Sequence, residues 1–236
     1  MLTFELDKIY LSTNKPKILD IGCGEGRHIF GCMTQFANAR IFGVDMHLDS
    51  LMKCVEGQSF FEGHNNCKNA YFQSSVYDLP FREKSFDLII CSEVMEHLDD
   101  YNKAFEIIHT LLKDDGILLI SVPSYLPEKL CWLLSRQYPK TPGGHVRIFT
   151  KSILREDFAS HGFKIQSTKR FHAFHSPYWW LRCLFWESQD SNFFVKQYKK
   201  FLEYQILNET KLLDAFEAFL NPFLGKSISF VLTKKL

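Results

Sequence analysis

Short apolar runs alternate with amphipathic stretches along most of the chain. Runs rich in aliphatic, β-branched and aromatic residues predict strands over 17–22, 39–45, 70–76, 86–92, 117–122, 163–171 and 227–234. Between the first five runs, apolar residues at helical spacing predict helices over 26–36, 48–58 and 100–112. Strands that alternate with helices are typical of an α/β fold with a doubly wound, mostly parallel sheet. Ligands in such sheets bind at the carboxyl ends of the strands.

The first strand runs into a glycine-spaced turn, with glycines at 22, 24 and 26, and a helix follows. Glycine lets the backbone approach a ligand closely, and a helix N-terminus presents free N–H groups. Dinucleotide-binding folds require a third glycine at the position that Arg27 occupies here, so the pattern is G-x-G-x-G. Asp20 lies two places before the first glycine. These residues predict a nucleotide-binding edge that differs from that of a nicotinamide dehydrogenase.

The second strand ends on Asp45, at about the distance from the first glycine at which an acid binds the ribose of a nucleotide. A carboxylate there accepts charge-assisted hydrogen bonds from both ribose hydroxyls. An acid at this position can also cap the following helix, and the sequence alone leaves both roles open.

Three further segments decide the family that the chain resembles. They are FDLIICSEVMEHLDD, LLKDDGILLISVPSY and GGHVRIFTKSILREDFASHGFKI, which follow the glycine turn in this order. Together they resemble the class I S-adenosylmethionine (SAM)-dependent methyltransferases, in the branch of ubiquinone and menaquinone methyltransferase-like enzymes, over residues 15–171. The resemblance implies SAM as the methyl donor, S-adenosylhomocysteine as its product, and a SAM-binding core over 1–171.

The resemblance also assigns the donor site residue by residue. The loop of Gly22, Gly24 and Gly26 would contact the methionine part of SAM, and Asp20 would hold its amino group. Asp45 would bind the ribose and Met46 would lie against the adenine. Ser75 stands where the family has the acid that binds the adenine amino group, Val76 would offer its backbone N–H, and Ser92 would line the methionine end. Asp78 either replaces the missing acid or faces solvent.

Methyl transfer from a sulfonium requires alignment and exclusion of water, and a general base only when the nucleophile must lose a proton. The candidate bases are His97, His145, His172 and His175, with Tyr178 as a hydrogen-bond partner, and of these we predict His97 and His145. The alternative for His97 is packing at a helix start, and the alternative for His145, in the family's H-x-R-x-F-T position, is anchoring of a loop. No metal is expected, because His161, His172 and His175 lack a cysteine or acid at ligand spacing.

An aromatic insertion over 172–226 precedes the last strand, which lies within 227–236. It holds three of the four tryptophans, and it predicts a helix from Pro177 and an amphipathic pair within 192–220. It is an added layer with an aromatic core, a lid over an apolar substrate, or a surface that contacts a membrane. The turn-rich stretch 139–144 before it is a candidate gate.

Composition narrows the function. A formal net charge of +1 without a basic run argues against a nucleic-acid partner. Seven scattered cysteines, no basic leader and no apolar run of about 18 residues indicate a cytoplasmic protein. We therefore predict a methyltransferase acting on a small apolar or aromatic acceptor, with peripheral membrane contact through the insertion as one option. A SAM-fold binding or regulatory protein without catalysis is the alternative.

Overall fold

The computed structural model describes residues 2–61, 66–141, 143–208 and 210–235, and it contains one seven-stranded sheet. The strands are β1 (Lys17–Ile21), β2 (Arg40–Asp45), β3 (Lys68–Gln73), β4 (Phe86–Ser92), β5 (Leu112–Pro123), β6 (Phe163–Phe171) and β7 (Ser227–Lys234). Their order is β3-β2-β1-β4-β5-β7-β6, and β7 runs antiparallel to both of its neighbours. The predicted doubly wound, mostly parallel sheet is confirmed.

Eight α-helices connect and cover the strands of the described chain. They are α1 (Arg27–Gln35), α2 (Leu48–Gln58), α3 (Tyr101–Leu111), α4 (Tyr125–Leu134), α5 (Lys151–Ser160), α6 (His175–Leu184), α7 (Phe193–Leu207) and α8 (Lys211–Leu224). Alternate residues of the central strands face two separate cores. Leu19 and Ile89 pack with α3 and α5, whereas Ile18 and Leu88 pack with α1 and α2. This alternation places helices on both faces of the sheet.

Several predicted boundaries are wrong. The third strand ends at Gln73, so that Ser75 and Val76 lie in the following loop. Residues 113–116, which precede the predicted fifth strand over 117–122, lie inside β5 as an irregularity, because the β4–β5 register passes from Leu112 to Ile117 over two residues of β4. No helix is predicted from the sequence at the positions of α4 and α5. Residue Pro142 of the candidate gate 139–144 lies outside the described residues.

The insertion begins with α6, which starts at His175, two residues before the predicted Pro177 start. Ser176 does not cap this helix, since its hydroxyl donates to the Leu224 carbonyl at 2.6 Å. A helix pair follows as predicted, with α7 ending at Leu207 and α8 beginning at Lys211. Within the described ranges, no helix combines the length and apolar character that crossing a membrane requires.

The insertion has features of an added layer, of a lid and of a surface that contacts a membrane. Phe174, Cys183, Val195 and Leu202 are buried and form a small core. Trp179, Trp186 and Ile206 line a cavity that the sheet edge also lines. The outward face of α8 is apolar and exposed, with side chains of Leu212, Phe216, Phe219 and Phe223 at 79%, 52%, 68% and 65% exposure.

Candidate functional site

The glycine turn after β1 has a backbone that only small residues tolerate. Gly22 has a φ of +69°, and a Cβ atom there would lie 2.4 Å from Val94 Cγ2. Gly24 has a φ of +52°, but a Cβ atom there would meet no protein atom within 4 Å. Gly22 is therefore required by packing, whereas Gly24 borders open space at the carboxyl end of β1. Gly26, the third glycine of the motif, directly precedes α1.

Asp45 fixes this turn from the end of β2. Its Oδ2 accepts a hydrogen bond from the Gly24 N–H at 2.8 Å, and its Oδ1 accepts one from the His47 N–H at 2.8 Å. The helix α2 has His47 as its N-cap, so the alternative role of Asp45 as a helix cap is wrong. Each carboxylate oxygen keeps a second lone pair with which it can accept a bond from a ligand hydroxyl.

Asp20 is a buried carboxyl group, with 1% of its surface exposed. Neither of its oxygens has a hydrogen-bond partner among the described residues. Burial raises its pKa well above the ordinary value, although the nearby Arg27 charge acts in the opposite direction. A buried acceptor without a donor indicates that a ligand supplies one.

The predicted adenine-binding residues lie around the ends of β2 and β3. Met46 is exposed by 61% and Val76 is buried. The Ser75 hydroxyl accepts a hydrogen bond from the Tyr77 N–H at 3.3 Å. Asp78 is exposed, which favours the second of its two predicted roles. Ser92 is buried against Ser121, with 2.9 Å between their hydroxyl oxygens, so it reaches no open space directly.

A cavity of about 670 Å³ lies between the sheet edge and the insertion. Its apolar walls come from the insertion, with Trp179, Trp186 and Ile206. Polar groups line the cavity from both sides. The sheet side and the segment before α5 contribute Arg27, Glu93, Tyr138, His145 and Ser227, and the insertion contributes His172, His175, Arg182, Gln189 and Lys226. The cavity thus joins the turn that starts α1 to a mostly aromatic chamber.

His145 faces this cavity and is held by Glu128, which lies on α4 and is fully buried. His145 Nδ1 lies 2.6 Å from Glu128 Oε1, and the same oxygen accepts from Trp132 Nε1 at 3.1 Å. Burial acts to raise the pKa of Glu128, but the His145 hydrogen bond and the Lys226 charge outweigh it and lower that pKa to about 2. Because an ionised carboxylate only accepts, Nδ1 carries a proton, and in the neutral imidazole Nε2 then has the lone pair.

The comparisons with known proteins agree with this geometry. A model of the methyltransferase domain family matches residues 5–168. The chain belongs to this methyltransferase family. It is 25% identical over 177 residues to a ubiquinone biosynthesis O-methyltransferase of Rickettsia canadensis, covering 71% of this chain and 72% of that enzyme. It is 36% identical over 110 residues to the enzyme of that name from Glaesserella parasuis, covering 44% of each chain. Across other curated relatives, the match spans 39% to 57% of their length.

Solved structures share the fold of this methyltransferase. The YcgJ protein of Bacillus subtilis superposes with a TM-score of 0.57 at 20% identity, over 94% of this chain and 93% of that one. A 1,6-didemethyltoxoflavin-N1-methyltransferase of Burkholderia thailandensis, with its substrate and S-adenosylhomocysteine bound, gives 0.56 at 16% identity, over 94% and 72%. These structures confirm the Rossmann-like fold, and the family match together with the curated relatives shows a SAM-dependent methyltransferase.

The residues at the end of the sheet fit SAM. The orphaned carboxyl of Asp20 matches an amino group, Gly24 leaves space beside the turn, and Asp45 has free lone pairs for ribose hydroxyls. Ser75 offers a neutral hydroxyl, which binds more weakly than a carboxylate would. Asp20, Gly24 and Asp45 thus offer groups that suit SAM at the carboxyl ends of β1 and β2, and their role in binding it stays a prediction.

The anchoring role predicted for the H-x-R segment belongs to the two residues that follow His145. Val146 donates its N–H to the Glu96 carbonyl at 3.0 Å, and Arg147 donates to the Asp99 carbonyl at 3.0 Å while lying over the Tyr101 ring. These two residues anchor the loop, and they leave His145 directed into the cavity.

His97 lies beside His145, with 4.9 Å between ring centroids, and its Nδ1 is 3.2 Å from the Gly144 carbonyl oxygen. Burial lowers its pKa. The Nε2 atoms of His97 and His145 lie 3.9 and 4.0 Å from Glu96 Oε1, and neither oxygen of the buried Glu96 has a hydrogen-bond partner among the described residues. Burial, together with the charge of Glu93, raises the pKa of Glu96 well above its usual range.

Glu96, His97 and His145 each offer one ligand atom, and these three atoms lie within 4.8 Å of one another. The three side chains are therefore spaced to share a metal ion. The histidines considered above as a metal site, His161, His172 and His175, are a different trio. His172 and His175 meet edge to face, with 5.4 Å between ring centroids, while His161 contacts Phe105.

Glu128 and Lys226 are the residues at this site that sequence reasoning missed. Glu128 lies in an apolar stretch of α4 and Lys226 directly precedes β7, and neither belongs to a recognisable motif. The sequence contains one signal for Glu128, which is its position beside the apolar run 130–134. An acid within an apolar helix is rarely buried without a partner.

Proposed function

We propose that this methyltransferase transfers a methyl group from SAM to a hydroxyl oxygen of a small aromatic or apolar molecule, with His145 as general base. The observation that carries the proposal is the 2.6 Å contact between His145 Nδ1 and Glu128 Oε1 at the wall of the cavity. Amines can react as neutral nucleophiles without a base, whereas a hydroxyl becomes a strong nucleophile when its proton is removed. An oriented imidazole therefore favours a hydroxyl acceptor.

The roles of the individual residues follow from their positions. When bound, SAM supplies a methyl group on a sulfonium, and the leaving thioether is neutral. Asp20, Gly24 and Asp45 hold the donor, and Trp179 and Trp186 surround the acceptor and exclude water. His145 Nε2 accepts the hydroxyl proton as the acceptor oxygen forms its bond to the methyl carbon. The resulting imidazolium is stabilised by the Glu128 carboxylate.

The size and walls of the cavity support an aromatic or apolar acceptor. A volume of about 670 Å³ is within the usual range for small-molecule sites. Aromatic walls favour a planar or apolar ligand. The O-methyltransferase names of the Rickettsia and Glaesserella relatives agree with oxygen as the methylated atom.

The test is a calorimetric titration with S-adenosylhomocysteine, followed by transfer of labelled methyl from SAM to matched phenols and anilines. We expect micromolar binding and label on the phenols. Label on the anilines alone would contradict the base assignment. Binding without transfer to any acceptor would favour the SAM-fold binding protein.

We also propose that the outward face of α8 contacts a lipid surface, from which an apolar acceptor would be taken up. The exposed area of Leu212, Phe216, Phe219 and Phe223 is roughly 500 Å², taking about 200 Å² for each side chain. A stable dimer needs about 800 Å² from each partner, so a second copy of the chain fits this face less well.

Four basic side chains lie near α8, which carries one acid, Asp214, in its first turn, and these cations favour anionic lipid. Lys211 begins α8, and Arg170 donates to the Pro222 carbonyl at 2.7 Å. Lys151 lines a surface cavity beside Pro222, and Lys129 lines another beside Phe223. Aromatic side chains beside cations are typical of helices that lie in the membrane interface.

Flotation with phosphatidylglycerol-containing and pure phosphatidylcholine vesicles tests this contact. We expect binding to the anionic vesicles, and at least a fivefold loss in the variant with Phe216→Gln and Phe219→Gln, since two exposed apolar anchors are removed. The matched control is Phe60→Gln, because Phe60 is also exposed but lies outside the insertion. Self-association that the two substitutions abolish, without vesicle binding, would contradict the lipid assignment.

A further inference from the structure

The buried carboxylate of Glu128 has a complete set of partners, which leaves it one orientation. Oε1 accepts from His145 Nδ1 and Trp132 Nε1, at 2.6 and 3.1 Å. Oε2 accepts from the Lys226 ammonium and, at 3.4 Å, from the Tyr138 hydroxyl. A carboxylate with bonds on both oxygens cannot rotate without breaking several of them. The imidazole that it binds is held in one position for the same reason.

Lys226 connects this carboxylate to both ends of the insertion. Its carbonyl accepts from the Ser124 N–H at 2.7 Å, just before α4, and its N–H donates to the His172 carbonyl at 3.4 Å. His172 is the first residue of the insertion, and Lys226 is its last. Docking of the insertion onto the sheet therefore delivers the ammonium to Glu128.

Burial of the Glu128–Lys226 ion pair costs desolvation free energy, so a gain in stability does not explain why the pair is buried. Lys226 is 8% exposed and Glu128 is fully buried. Apolar residues of similar volume often replace a buried ion pair without loss of stability. Two further acids, Glu93 and Glu96, lie within electrostatic reach of Lys226. The pair therefore requires a reason other than packing.

We infer that Glu128 and Lys226 are positioning residues that hold His145 with its proton on Nδ1 and its Nε2 lone pair directed into the cavity. Lys226 keeps the carboxylate ionised and fixed, and Glu128 transmits this order to the imidazole. The insertion thus completes the catalytic site as well as covering it. This inference rests on the proposed role of His145 as general base.

The test compares Glu128→Gln, Lys226→Met and the double variant by thermal melting, S-adenosylhomocysteine affinity and kcat for a phenolic acceptor. Each single substitution leaves one buried group unpaired, so we expect a lower Tm together with a kcat reduced at least tenfold. In the double variant neither member of the pair is left without its partner. We expect its Tm to recover towards that of the wild type while kcat stays at least tenfold low, with S-adenosylhomocysteine affinity within twofold throughout.

Recovery of both Tm and kcat in the double variant would overturn the inference, because the pair would then be only structural. The matched control is the pair Lys113–Asp87, with 2.6 Å between Nζ and Oδ1, which lies away from the cavity. Replacing both by Met and Asn should change Tm without changing kcat. If the Glu128 double variant fails to fold, Trp132→Phe removes one bond to Oε1 and should lower kcat severalfold, and an unchanged kcat would overturn the inference.

Nitrogen-15 NMR of His145 separates this inference from the proposed function, because it needs no acceptor. We expect the Nδ1–H tautomer in the wild type and a mixture of tautomers in Glu128→Gln. A mixture already present in the wild type would overturn the positioning role. Failure of methyl transfer in a protein that shows the Nδ1–H tautomer would contradict the proposed function alone.

Discussion

Asp45→Ala should weaken binding of S-adenosylhomocysteine by roughly 10- to 150-fold, from the loss of about 1.5–3 kcal/mol that a charge-assisted hydrogen bond contributes. Two effects act together. The ribose loses its acceptor, and the glycine turn loses the 2.8 Å bond that its Gly24 N–H makes to Oδ2. Calorimetric titration of both proteins measures the change directly.

The matched control is Asp49→Ala. Asp49 is an exposed acid in the first turn of α2, four residues further along the chain. Its removal changes the charge equally but leaves the turn intact, so affinity should stay within twofold. Equal affinities of wild type and Asp45→Ala would show that Asp45 does not bind the ribose. A fall in Tm at unchanged affinity would assign it to the turn alone.

His145→Gln should lower kcat for a hydroxyl acceptor by about 10²- to 10⁴-fold, the usual contribution of a general base. Glutamine can keep a hydrogen bond to Glu128, but its amide nitrogen cannot accept a proton at neutral pH. Affinity for S-adenosylhomocysteine should remain within twofold, because none of the donor-binding groups Asp20, Gly24 and Asp45 contacts His145. Single-turnover rates with labelled SAM would measure the chemical step.

The comparison with His97→Gln distinguishes the two histidines that the sequence proposed. His97 Nδ1 faces the Gly144 carbonyl, and among the described residues no carboxylate lies within hydrogen-bond distance of its ring. We expect a loss of less than tenfold there. Larger losses in His97→Gln than in His145→Gln would reverse the assignment.

Chelation tests whether Glu96, His97 and His145 bind a metal ion instead. A proton acceptor works without metal, so transfer in the presence of EDTA should match the untreated rate. Loss of activity with EDTA that added divalent metal restores would instead make Glu96, His97 and His145 a metal site. His145→Gln would then lower metal affinity as well as kcat.

Local sequence was sufficient for most of the fold. The apolar strands and the helices between them are short-range patterns, so β4, β6, β7 and α2 have the predicted bounds. Boundaries moved where long-range contacts intervene, as in β5, whose pairing with β4 draws residues 113–116 into the strand. Helices α4 and α5 were missed because α4 is apolar over most of its length and α5 has few apolar positions, so neither shows a clear helical spacing.

Spacing along the chain was enough to predict the donor site, because Gly22, Gly24, Asp20 and Asp45 lie within one strand–turn–helix unit and the strand beside it. Three histidines, His145, His172 and His175, line the cavity, and the contact that orients His145 is visible only in the three-dimensional structure. Glu128, His145 and Lys226 come from three separate segments, up to 98 positions apart in the chain. Their contact arises from the docking of α4 and of the insertion against the sheet edge, and packing over such distances leaves no periodicity in the sequence.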